Sequence, residues 1–183
     1  PLHREFRGVF YIPMAVKKEL IDRPLKTRKY KFEELQIIPL IANGTLEIIE
    51  NDFIESKTSY LMDLANRCFK AKGNWIRMIQ SGEMEAIATA LYFGTNTIVV
   101  DERVTRKLIE DPSDVKKTLE RRLHTKVHTN SKNLRKLHDE IKHLKVIRST
   151  ELVTVAYELG FLNKFKAHDL YVEDVEKAVL EGV

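Results

Sequence analysis

The chain has 183 residues, 43% of them hydrophobic and 32% charged, with a net charge of +4. That is the length of one domain with an ordinary core, here expected to span 1–183. It holds no apolar run near the roughly 18–20 residues of a membrane span, and the polar, basic start PLHREFRG is no secretory signal.

In chain order, Val9–Ile12 is a β-branched and aromatic run stopped by Pro13, and is predicted as a strand. Met14–Asp22 is predicted as a helix closed before Pro24. Phe32, Leu35 and Ile38 recur three apart, which predicts a short helix over Lys31–Ile38 that Pro39 ends or kinks. Asn43-Gly44 is a turn signal, and Leu46–Ile49 a strand. Whether Leu40–Ala42 is also extended, making a hairpin, stays open. Phe53–Lys70 is predicted as one long helix, whose exposed side is open to a homodimer contact without requiring one, and Ala71–Gln80 as irregular.

A helix over Ser81–Phe93 comes next, ended by Gly94. The strand Thr97–Val100 follows, and a helix from Asp101 to about Glu110. Short strands alternating with helices predict an α/β fold with a parallel sheet. Lys116–Leu123, Ser131–Leu144, Thr150–Leu159 and His168–Leu180 are predicted helices, and Val146-Ile147 a short strand. The single Cys68 excludes an internal disulfide and suits a reducing cytoplasm.

Charge is unevenly spread. Val115–Arg148 holds 11 Lys/Arg against 3 Asp/Glu, net +8, and the rest holds 20 against 24, net −4. The basic stretch is either a solvated helical surface or a polyanion site, nucleic acid being the commonest polyanion. His124 and His128 inside it are four apart, as in helical zinc pairs, but no cysteine or third ligand is near.

Three acids stand out. Glu83 precedes Ala86 by three and Ile87 by four, on the buried face of its helix, whereas Glu85 is phased for solvent. A buried first-turn carboxylate either complements the helix dipole or binds a metal. Asp101 ends the strand Thr97–Val100, where ligands bind in open α/β sheets, although Asp is also a favoured N-cap. Glu19 follows the first strand, and a surface ion pair with Arg23 is its plainer role.

The runs YIPMAVKKELIDRP (Tyr11–Pro24), SGEMEAIATALYFGTNTIVVDERVTRKLIED (Ser81–Asp111) and RSTELVTVAYELGFL (Arg148–Leu162) resemble, in that order, the PIN-domain family. That family shows a strand ending in Pro, then a helix with an EEL-like acid. Later come GExEAIALA, an apolar strand, DD or DE, and a late GTLGxLLxAKxxGLI helix. The resemblance implies a three-layer α/β/α domain that cleaves single-stranded RNA with Mg²⁺ or Mn²⁺. It implies that Glu19, Glu83 and Asp101 are catalytic acids and metal ligands, with Ser149 near the pocket and Glu151 a further candidate. The chemistry suits these residues, since hard cations take oxygen donors and a bound ion activates water. A toxin-like role would imply an antitoxin-like protein partner. The alternative is a catalytically inactive PIN-like module that binds RNA or a protein.

Two departures from the family pattern carry expectations of their own. The family's first acid ends a central strand that precedes the one matched by Val9–Pro13. Only eight residues lie before Val9 here, none of them Asp. The natural chain is therefore expected to continue upstream with an apolar strand ending in Asp. A strand supplied by a partner chain, or an inactive relative with rearranged packing, would also account for the gap. The second departure is an inserted helical element at about 112–146. Its Lys116, Lys117, Arg121, Arg122, Lys132, Arg135 and Lys136 are expected to clamp RNA phosphates. With no aromatic residue among them, base stacking is not expected there.

Overall fold

The computed structural model describes residues 9–22, 31–161 and 163, with the backbone alone at 22 and 31–36. Strand β1 (Phe10–Pro13) leads into a short helix α1 (Met14–Lys17) and a π-helical turn, Lys18–Asp22. Helix α2 (Lys31–Ala42) is followed by β2 (Leu46–Ile49), which pairs with β1 in parallel from Phe10–Leu46 to Pro13–Ile49. Of the two expected effects of Pro39, ending or kinking the helix, ending does not occur. The helix runs on to Ala42, and the turn then closes through Asn43 N–H to Pro39 O (3.1 Å) and Gly44 N–H to Ile41 O (3.0 Å). Residues 40–42 are therefore helical, and β2 takes its partner from β1 rather than from a hairpin.

Helix α3 (Asp52–Asn66) is capped by Asn51, whose side chain accepts from Phe53 N–H. It stops four residues short of the expected Lys70. Arg67 and Cys68 bond back three residues, to Leu64 and Ala65, the tightening usual in a last helical turn. The chain then enters β3 (Phe69–Ala71), turns at Lys72-Gly73 and returns as β4 (Asn74–Trp75). Both turn residues have positive φ, 48° and 84°, as a two-residue hairpin requires. The segment expected to be irregular thus contains a hairpin, and β6 (His128–Thr129) joins it as a third antiparallel strand.

Helix α4 (Ser81–Phe93) runs over its expected span and ends at Gly94, which has the positive φ (63°) that glycine adopts without strain. It leads to β5 (Thr97–Val99), which pairs in parallel with β7 (Lys145–Ile147). Helix α4 packs against α3, β1 and β5, so it spans both parallel pairs. Helix α5 (Arg103–Glu110) is capped by Glu102, and α6 (Pro112–Leu123) by Asp111. Helix α6 begins four residues before the expected Lys116 because Asp-Pro-Ser supplies a cap, with proline where its missing N–H costs nothing. Helix α7 (Ser131–Ile141) packs on α3 and α5, and α8 (Ser149–Glu158) follows β7. The result is a mixed α/β chain with short parallel sheets. The terminal helix expected over His168–Leu180 lies outside the described residues.

One core unites these parts. Leu61, Phe69, Met84, Ile87 and Ile98 share a cluster with Val115, Leu119, Val127, Leu137 and Ile141, all of them buried. The segment at 112–146 is therefore built into the core and is not an appendage on it. Cys68 is fully buried, its Sγ–H donating to Leu64 O (3.1 Å) and its carbonyl accepting from Asn130 N–H (2.7 Å). Burial pushes its thiol up to about 12.

Candidate functional site

The first turn of α4 is closely approached by the segment after β1. A Cβ added at Gly82 would stand 3.3 Å from Glu19 Oε2 and 3.4 Å from Val16 Cγ2. Glycine at that position is what lets the Glu19 carboxylate come so near the helix backbone. Glu83 is next in sequence, and its Oε2 is buried with no hydrogen-bond partner among the described residues. A buried polar atom of this kind costs about 1–3 kcal/mol unless something satisfies it, and in native structures it often marks an ion or water site.

Asp101 is exposed after β5 and does not cap the helix that follows. Glu102 does that, accepting from Thr105 N–H (2.7 Å) and Thr105 Oγ1 (3.0 Å). Asp101 Oδ1 instead accepts from Ser149 N–H (2.9 Å), across the β5–β7 pair at the start of α8. The fold therefore brings Asp101 and Ser149 together. The Glu151 carboxylate is taken up by Arg148, accepting from its backbone N–H (2.8 Å) and from Nη2 (3.2 Å). Those two hydrogen bonds hold its carboxyl below the usual carboxylate range.

Glu85 departs from its solvent-facing expectation. Ala88 and Thr89, its neighbours on the helix, are buried, and Glu85 Oε2 accepts from Ala15 N–H (2.8 Å). Helix α4 is buried on more sides than a single apolar stripe implies. Ala15 lies in the first turn of α1, where backbone donors lack helical partners, so the carboxylate completes that helix in trans. Glu85 also lines an open cleft with Glu19, Glu50, Glu55, Lys18 and Thr58. Among the described residues four carboxylates and one lysine line it, and Thr58 Oγ1 is buried without a partner. The sequence carries no signal for Glu50 or Glu55 and directs Glu85 to solvent; only their spatial grouping reveals them. Neither Glu83 nor Asp101 lines the cleft.

Among the described residues, no three His, Cys, Asp or Glu side chains stand together as a group able to hold a metal ion. Glu19 and Glu83 belong to one neighbourhood through Gly82, and Asp101 belongs with Ser149. The fold does not gather the three acids into a single ligand set. The histidine pair also separates: His124 ends α6 in a left-handed conformation (φ 47°), whereas His128 is in β6. Lys116, Lys117, Arg121 and Arg122 are exposed on α6, and Lys132, Arg135 and Lys136 on α7. Both helices pack on α5. Lys116 lies 3.9 Å from Glu120, a loose pair that leaves it available to phosphate.

No helix among the described residues is long and apolar enough to cross a membrane. No protein-family model, curated protein or solved structure matches the chain.

Proposed function

We propose that this chain is a PIN-like α/β/α domain that hydrolyses RNA phosphodiester bonds with the help of Mg²⁺ or Mn²⁺. The observation that carries the reading is Glu83 Oε2, a buried carboxylate oxygen without a partner, one residue from the glycine that Glu19 abuts. Oxygen donors of this type suit a hard divalent cation. Glu19 and Glu83 would hold it, with Asp101, which stands apart with Ser149, as an acid of the site outside that ligand pair. The ion, when bound, supplies Lewis-acid polarisation of the phosphate and a water of lowered pKa. The chain's own contribution is positional. Ser149 N–H fixes the Asp101 carboxylate, and Glu102 relieves Asp101 of capping duty. The exposed cations of α6 and α7 supply attraction for the phosphate backbone.

The test is cleavage of a labelled single-stranded RNA by the purified protein in Mg²⁺ or Mn²⁺, against EDTA. Metal-dependent cleavage that Glu83→Gln abolishes is the expected result, and cleavage indifferent to both Glu83→Gln and Asp101→Asn removes the site assignment. A second reading is a catalytically inactive module that binds RNA. It is favoured by the lack of a three-member ligand group among the described residues. RNA that is bound but never cut in either metal selects it.

A further inference from the structure

The three-stranded antiparallel sheet brings an aromatic residue into the basic region, which the sequence kept apart from it. Trp75, Lys70 and His128 occupy one row: Lys70 pairs with Trp75 on β4 and with His128 on β6. Residues paired directly across a sheet project from the same face. The opposite face belongs to the core, because Phe69 and Val127, the neighbours of Lys70 and His128, are buried. Trp75 is nonetheless 48% exposed, and Lys70 Nζ lies 5.4 Å from its ring centroid. The turn residue Lys72, together with Arg77 and Lys126, is exposed close to this row in sequence. An indole left half in water beside the Lys70 ammonium group is poorly explained by packing. It matches the pairing of stacking surface and phosphate ligand that single-stranded nucleic acids use.

We infer that the outer face of β4–β3–β6 is a platform for single-stranded RNA, on which an unpaired base stacks against Trp75 while Lys70 binds a neighbouring phosphate. The choice of RNA rests on the function proposed above; the demand for unpaired bases comes from the surface itself. A base stacked within a duplex has no free face to offer the indole, so duplex RNA is a poor ligand for this row.

Trp75 is the only tryptophan in the chain, so its fluorescence reports the platform directly in the unaltered protein. Oligouridylate is titrated in EDTA, which removes cleavage from the experiment, and binding is followed in parallel by the anisotropy of a labelled strand. The expected result is saturable quenching of Trp75 that tracks the anisotropy, with little quenching by a duplex of equal length. Trp75→Ala is expected to weaken single-strand binding about 5- to 100-fold, and Trp75→Phe to restore most of it. Lys70→Ala is expected to lower the salt slope of binding by about 1. Binding with unchanged tryptophan emission overturns the platform and leaves the RNA reading standing. Absence of any binding overturns the platform, the RNA reading then standing or falling on cleavage in Mg²⁺ or Mn²⁺, and equal quenching by duplex overturns the stacking.

Discussion

Around the parallel strand pairs, the side chains that stand out are carboxylates: Glu19, Glu83 and Glu85 about the first turn of α4, and Asp101 after β5. Around the antiparallel sheet and the helices beyond it they are cations and an indole: Lys70, Trp75, His128 and the exposed lysines and arginines of α6 and α7. Both regions draw on the same cluster of buried side chains. Two of these acids are held by specific backbone donors, Glu85 by Ala15 and Asp101 by Ser149. The cations are mostly solvent-facing and loosely paired. Placing a carboxylate in a defined position takes a helix terminus or a strand end that supplies N–H groups, whereas a diffuse attraction for phosphate needs only exposure.

The contrast can be broken most forcefully at the shared core. Leu137 is fully buried in α7, and Leu137→Ala is expected to cost about 2–5 kcal/mol. Urea unfolding followed by circular dichroism should remain a single transition at lower denaturant. Two separated transitions would show that the acidic and basic regions fold independently. Glu83→Gln sharpens the other side. Metal-dependent RNA cleavage is expected to fall about 100-fold or more, while the thermal midpoint holds or rises, because a neutral amide is easier to bury than an unpartnered carboxylate. A midpoint that drops by several degrees would assign Glu83 to structure.

Glu102→Ala removes the cap of α5 and is expected to cost about 1 kcal/mol, readable as a small shift in the same urea curve. The smallest effect concerns acid. A hydrogen bond from Lys107 holds the Asp114 carboxyl below its ordinary value. A lowered carboxyl pKa stabilises the fold above the ordinary carboxylate range, and that contribution fades as pH falls through the folded value. Asp114→Asn should therefore lower neutral stability slightly, leave stability in strong acid close to unchanged, and so flatten the acid limb of the profile.

How much of this was legible in sequence divides along the same line. Helix α4, Gly94 and strand β5 were readable because a full helix, a left-handed stop and an apolar strand follow one another without ambiguity. The phase of α4 put Glu83 toward the interior for the same reason. It misplaced Glu85, because a single-stripe reading fails for a helix enclosed on most sides. The antiparallel sheet was missed altogether. Strands of two and three residues are too short to show alternation, and Cys68 and Phe69 continue the apolar rhythm of α3 past its true end. Gly73, followed directly by Asn74, was the available clue. Missing the hairpin also hid Trp75 from the basic segment, since only the pairing of β3 with β6 brings residues 70 and 128 side by side.

The seam between the two regions has a reporter of its own in Cys68. Its side chain is sealed under the end of α3, and its carbonyl receives the chain entering α7 through Asn130. With the thiol pushed up to about 12, a thiol-specific reagent at neutral pH finds it only in molecules where that junction has come apart. The labelling rate is then a clock for how often the acidic and basic halves separate, and any ligand that braces them together would slow its ticking.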